Sequence, residues 1–365
     1  HCGGSGEKAW CVGILTSSNY LAERSRPIQV SSEPLVARRP LRELDSILDP
    51  VSSYRVRVEA LLQECVASGE IPVLRSVLES VLHGPAKRLR PAITLLVGLG
   101  YGFKDDDLSV LAAGVEVLHS ATLVHDDIVD EADSRRGRPT VHMAWSDKVA
   151  ILAGDYLFAT SADMVARLDR PKIVRQFADT IRLMSRSEFV APVFESDPGA
   201  ARVQYLEKIG NKTASLIALS CSATGVLVDV DETSAEALHK FGWALGMAFQ
   251  ITDDVLDVTG ESNETGKPIG GDLRAGILTL PTIEYMECVA EPHLSLRKVA
   301  DGEPVPEAEV SAAIQLLNRS GAVVAARDVA EEFAVQARVA LERLPANQAF
   351  DALADLVTYA TDRSR

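Results

Sequence analysis

Positive charge is what this chain is short of. Its 365 residues hold 37 Lys and Arg against 52 Asp and Glu, a formal net charge of −15. Sequence-independent binding to nucleic acid needs a basic face that displaces condensed counterions, so the composition argues against that class. Cysteine is sparse too. Cys2, Cys11, Cys65, Cys221 and Cys288 are odd in number and scattered, with no CxxC pair and no Cys/His ligand spacing. That pattern fits reduced thiols in a cytoplasmic protein rather than a disulfide framework or a zinc site. Long apolar runs are also missing: the longest, residues 92–103, is interrupted by Gly98, Gly100 and Gly102 and reads as a core helix entering a turn. No transmembrane segment is expected.

Alternating, strand-like runs are few. From residue 41 onward apolar residues recur at three and four instead, which predicts an all-α fold. Helices are expected over residues 41–67 and 73–82, from Pro91 onward, and after the acidic triplet Asp105, Asp106 and Asp107. Others are expected over 141–168, 172–193, 202–228 and 232–258, then over 283–290, 307–318, 322–344 and 349–361. Residues 260–276, rich in Gly and polar side chains, are the one long internal loop expected, and long loops in compact domains are commonly functional. Residues 1–39 show little pattern and no positive stretch followed by an apolar one. They are read as a poorly ordered extension before a single large helical domain over 40–365, a size that leaves ample material for a core.

What the chain does have is carboxylate at one repeated spacing. Residues 118–142 read LHSATLVHDDIVDEADSRRGRPTVH, with Asp126, Asp127 and Asp130 followed by Arg135, Arg136 and Arg138. On a helix Asp126 and Asp130 share a face and Asp127 sits about 100° round. ITDDVLDVTG repeats the DDxxD spacing with Asp253, Asp254 and Asp257. A single DDxxD is most simply a solvated helix end. Two, each closing an apolar stretch, read as two walls of one site, because carboxylates so crowded raise one another's pKa unless a cation offsets the repulsion. Mg²⁺ bridging a phosphate suits them, since it takes octahedral oxygen ligands from a few carboxylates, waters and phosphates.

Two basic knots supply the anion-binding counterpart. Lys87, Arg88 and Arg90 form one, and Arg135, Arg136 and Arg138 the other; guanidinium forks grip phosphate oxygens bidentately where lysine acts as a point charge. His119, two helical turns before Asp126, could donate to the same anion or be a core histidine, and spacing alone leaves both open. His125 lies on another face and reads as structural. Lys212 and Thr213 in GNKTA, Gln250 in FQITDD and Lys267 in TGKP add donors near the second wall.

In this order, KRLRP, LVHDDIVDEADSRRGRPTVH, LAGDYLFA, KTASL, FQITDDVLDVTG and GKPIGGDLRAGILTLP resemble the trans-isoprenyl (polyprenyl) diphosphate synthases, over roughly residue 41 to the C-terminus. The resemblance implies a helical bundle around a deep central cavity, the isoprenoid synthase fold, with the two acidic motifs facing each other. It implies that Asp126, Asp127, Asp130, Asp253, Asp254 and Asp257 hold two or three Mg²⁺ ions, with Mn²⁺ as a substitute. Arg135, Lys212, Thr213, Gln250 and Lys267 would bind the allylic diphosphate, and Lys87, Arg90, His119 and Arg136 isopentenyl diphosphate. Of these, Asp126, Asp127, Asp130, Lys212, Asp253 and Asp254 would carry the catalysis. A homodimer is implied as well, and products so apolar imply transient contact with membranes.

Ala121 stands five residues before Asp126, where similar short-chain enzymes place a bulky aromatic as cavity floor. A methyl there, with no insertion in DDIVD, points to products of C30 or longer, with geranylgeranyl diphosphate the alternative. Some positions depart from the family pattern: Pro85 and Ala86 replace Gly-Gly, Ile277 replaces a lysine, and Ser187 and Ala191 replace the ends of GExxQ. They keep open a non-catalytic subunit of a two-component synthase. A class I terpene cyclase is disfavoured by the second DDxxD and the isopentenyl diphosphate residues, and a metal phosphohydrolase by the absence of further histidine motifs.

Overall fold

The computed structural model describes residues 42–84, 86–190, 194, 198–260 and 269–362. The extension expected over 1–39 and the lysine at 267 therefore lie outside the described residues, as do Pro85 and Ala191. The described chain is helical almost throughout. α1 (Leu44–Leu48) leads through a 3₁₀ turn (Asp49–Val51) into α2 (Ser52–Ala67) and α3 (Pro72–Leu82). The single helix expected over 41–67 is broken at Pro50, which lacks the N–H to continue it. α4 (Leu89–Gly100) and α5 (Asp107–Val129) follow.

A two-stranded hairpin that periodicity did not foresee comes next: β1 (Ser134–Arg135) pairs antiparallel with β2 (Arg138–Pro139). Its two-residue turn puts Arg136 at φ 52° and Gly137 at φ 75°. Both central residues of the favoured hairpin turn need positive φ, which Asn-Gly usually signals and Arg-Gly hides. The helix expected over 141–168 is divided into α6 (Val141–Ala144) and α7 (Asp147–Ala166), because Ser146 leaves the helix and caps α7 by accepting from the Val149 amide at 3.3 Å. α8 (Pro171–Glu188) opens on proline.

The helix expected over 202–228 holds α9 (Pro198–Ile209), a π turn (Gly210–Ala214) and α10 (Ser215–Leu227). α11 (Glu232–Thr259) carries the second acidic motif, and α12 (Gly271–Ala275) lies inside the expected loop. α13 (Leu280–Cys288), α14 (Leu294–Ala300), α15 (Glu307–Arg319), α16 (Ala322–Leu341) and α17 (Gln348–Asp362) complete the chain.

α5 packs along α7 and beside α4, and α10 and α16 both lie on α11. α10 packs against both motif-bearing helices, α5 and α11, and so links them. Among the described residues, helices α5 and α7, rather than residues 92–103, are long and apolar enough to cross a membrane by length and composition. In α5 78% of the apolar window is buried in this fold, as a core helix requires, and in α7 39%.

Candidate active site

The first motif closes α5. Asp126 and Asp130 both face Lys212, whose Nζ lies 3.7 Å and 3.8 Å from their Oδ2 atoms and 3.1 Å from Oε1 of Glu188. Asp127 points elsewhere, as its helical phase predicts, and accepts from Arg135 Nε at 2.7 Å. Burial pushes the Asp126 carboxyl up to about 6; Lys212 opposes that shift while Glu188 and Asp130 add to it. Lys212 is held charged by these same carboxylates, which outweigh its own burial.

The second motif is a hydrogen-bonded relay. Thr213 Oγ1 donates to Gln250 Oε1 at 2.8 Å, Gln250 Nε2 donates to Asp254 Oδ1 at 2.8 Å, and the Tyr205 hydroxyl donates to Asp254 Oδ2 at 2.6 Å. Burial nonetheless drives Asp254 up to about 7, against those two donors and with Asp253 and Asp257 adding repulsion. Asp257 is engaged differently: its carboxylate accepts from the amides of Gly271 and Asp272, each at 3.0 Å, at the start of α12.

The π turn joins the two walls. Lys212 addresses the first motif and the adjacent Thr213 the second. A π bulge commonly marks a functional position, and small residues make this one: a Cβ on Gly210 would lie 2.7 Å from the Trp243 ring, and one on Gly246 2.5 Å from Cα of Ala214.

The basic pole stands beside them. Arg90 lies 3.1 Å from Nε2 of His119. A guanidinium only donates, so Nε2 accepts and His119 is neutral with its proton on Nδ1. Burial, then Arg90, Arg136, Arg135 and Arg88, depress its pKa well below the usual range, consistent with that tautomer. Arg90 and Arg136 are themselves lowered, chiefly by burial, and Asp253 lies near enough to Arg90 to act against this. Arg88, at φ 51°, is structural: it pairs with Glu116 at 2.8 Å and Glu59 at 3.0 Å. Lys87 Nζ donates to the Tyr359 hydroxyl at 2.9 Å. His125 lies 3.1 Å from the Ile151 carbonyl oxygen, against Gly154, in keeping with a structural role.

Among the described residues no three acidic, histidine or cysteine side chains converge closely enough to enclose an ion. The donor set still fits a divalent cation whose shell is completed by phosphate and water: hard oxygens, two carboxyls raised by crowding and burial, and a resident ammonium among them. Glu188, Tyr205, Glu116 and Tyr359 are the side chains here that motif reading missed. Only Glu188 left a signal: it is the acid retained between Ser187 and Ala191, the two departures from GExxQ, and in the structure it ends α8, where the dipole disfavours it. Ala121 is wholly buried within α5, and Ile277 is 45% exposed.

The polyprenyl synthetase family model matches residues 71–317. Nonaprenyl diphosphate synthase of Mycobacterium tuberculosis is 37% identical over 309 residues, 84% of this chain and 91% of its own length. Heptaprenyl diphosphate synthase component 2 of Geobacillus stearothermophilus is 35% identical, over 88% of this chain and 99% of its own. A crystal structure of polyprenyl synthase from Caulobacter crescentus CB15, complexed with calcium and isoprenyl diphosphate, is similar at TM-score 0.83 and 31% identity, covering 90% of this chain and 100% of that one. With motif order, all-helical fold and site chemistry in agreement, this chain belongs to the polyprenyl synthetase family, the trans-isoprenyl diphosphate synthases.

Proposed function

We propose that this protein condenses isopentenyl diphosphate with an allylic diphosphate, head to tail, to give a trans-polyprenyl diphosphate of C30 or longer. The observation that carries this reading is the π turn, whose neighbouring Lys212 and Thr213 tie the two acidic motifs into one site. Asp126, Asp127, Asp130, Asp253 and Asp254 would hold Mg²⁺, with Asp257 joining them if it leaves the α12 amides. Bound there, the ions supply electrostatic neutralisation of the departing diphosphate.

Lys212 and Arg135 stabilise the same charge as the allylic C–O bond breaks, leaving a carbocation at C1. The pole of Arg90, Arg136 and Lys87 fixes the second diphosphate, and neutral His119 donates from Nδ1. The isopentenyl double bond then forms the new C–C bond to C1, and the proton lost from the resulting cation goes to the released diphosphate. No nucleophilic side chain takes part.

Chain length is supported by relatives named for nonaprenyl, heptaprenyl and decaprenyl products and by the methyl of Ala121. One observation favours a second reading: two relatives are named as component 2 of a heptaprenyl diphosphate synthase, which would make this chain one half of a two-component enzyme. A homodimer is supported by the exposed apolar face of α7, where Ile151 and Leu152 are 48% and 58% accessible.

Purified protein incubated with Mg²⁺, radiolabelled isopentenyl diphosphate and each allylic starter in turn tests the reading. A product ladder reaching C30 or beyond is expected, with Asp126→Asn slowing it about 10²–10³-fold and Ala121→Phe ending it earlier. A folded protein that elongates no starter by itself would overturn the stand-alone enzyme.

A further inference from the structure

Lys212 sits where a divalent cation would be drawn. Its Nζ is within 4 Å of three carboxylates, yet unevenly: 3.7 Å and 3.8 Å from Asp126 and Asp130, and 3.1 Å from Glu188. Charge-assisted N–H···O bonds run near 2.7–2.9 Å, so the ammonium is loosely held by the first motif and more closely by α8. Glu188 is the last residue of α8, where the negative end of the helix dipole repels a carboxylate. An acid that breaks the local rule there has a task, or a cation, to justify it. Lys212 is that cation, reaching Glu188 from a π turn that is itself locked against α11 by glycine contacts.

We propose that Lys212 is a tethered stand-in cation for the first acidic motif, and that Glu188 is the positioning residue that takes it over when a divalent ion enters. The inference rests on the proposed metal-dependent reading of the site. Mg²⁺ demands oxygens at about 2.0–2.1 Å, so an ion between Asp126 and Asp130 displaces the ammonium from both. Glu188 is then the nearest carboxylate outside the acidic motif still within its reach. The handover keeps Lys212 beside the ion, aimed at the diphosphate it serves, and lowers the cost of loading because the lysine is not turned out into solvent.

The test is a double-mutant cycle on the full chain, with Mn²⁺ alone as probe and its free concentration read by electron paramagnetic resonance. Glu188→Gln should weaken Mn²⁺ binding about fivefold or more, because Lys212 then has only the motif to pair with. Lys212→Met should tighten it by a similar factor. In the Lys212→Met background, Glu188→Gln should change affinity by less than about twofold, the coupling between the two being the signature of a handover. Equal weakening by Glu188→Gln in both backgrounds would make Glu188 a plain negative charge or a ligand and overturn the proposal, as would unchanged or weaker binding in Lys212→Met. Should none of the four proteins bind Mn²⁺ while all remain folded by circular dichroism, the metal reading of the site fails, and this proposal with it. Should Glu188→Gln not fold, Glu188→Ala takes its place in the cycle.

Discussion

Asp254 is the residue on which the site's pH response turns. Its carboxyl rises to about 7 through burial, and Asp126 to about 6 for the same reason. A carboxyl whose folded pKa exceeds its unfolded value favours folding while protonated. That contribution is full below about 4, the unfolded value, and is lost as pH climbs through the folded values near 6 and 7. The metal-free protein should therefore lose thermal stability between about pH 4 and pH 7, and Asp254→Asn should flatten the profile. Melting curves across that range should show the variant gaining on the wild type at high pH; parallel profiles would mean that Asp254 does not titrate there. The Tyr205 hydroxyl and Gln250 amide favour the charged form, so they keep the rise smaller than burial alone would make it. Thr213, Gln250 and Asp254 are marked in the sequence as donors and acid of the second wall, but their pairing, and the part of Tyr205, are not. DDVLD is read from spacing, but a tyrosine seven positions before Lys212 carries no mark of its partner forty-nine residues on.

The π turn explains at the scale of the element why the sequence reads as one helix from 202 to 228 while the structure is interrupted. Apolar periodicity runs through the turn undisturbed, so pattern alone sees no break. What makes it is packing from another helix: Gly242 and Gly246 of α11 approach Ala218 and Ala214 so closely that a Cβ would meet backbone at 2.7 Å and 2.5 Å. Backbone cannot rotate away as a side chain can, so Gly246→Ala should cost about 1–3 kcal/mol in denaturant unfolding. It should also lower kcat, because Lys212 and Thr213 move with the turn. A stable variant with unchanged kcat would show that the close approach is not what seats these two residues. The hairpin has the same lesson at shorter range. Its arginines stand out in the sequence as a basic cluster, yet Arg136 at φ 52° gives no turn signal of the Asn-Gly kind. Motifs whose chemistry is local to a few residues were legible, and so were most helices with their proline starts. Breaks imposed by distant neighbours were not.

At the scale of the molecule, α7 has two contrasting sides. One stripe, Ala150, Ala153, Gly154, Leu157, Ser161, Met164 and Val165, is buried, and α7 packs along α5. The opposite stripe, Ile151, Leu152, Asp155, Ala159, Ala162 and Ala166, faces outward, with Met143 and Trp145 exposed just before it. Leu152 and then, past Asp155, Ala159, Ala162 and Ala166 at spacings of three and four give a face smooth over most of its length with a low side-chain entropy cost on docking, suited to the same face of a second copy across a two-fold axis. Because α7 lies directly on α5, such a dimer would brace the helix that carries the first acidic motif. Sedimentation equilibrium should return about twice the 39.3 kDa chain mass for the wild type. Leu152→Glu, which sets like charges against each other at the symmetric contact, should return the single mass with its helical content intact and lower kcat through the loosened support of α5. A wild type that sediments at one chain mass, or a Leu152→Glu protein that stays paired, would remove α7 as the dimer face and leave its apolar stripe to a different subunit, as the two-component relatives would have it.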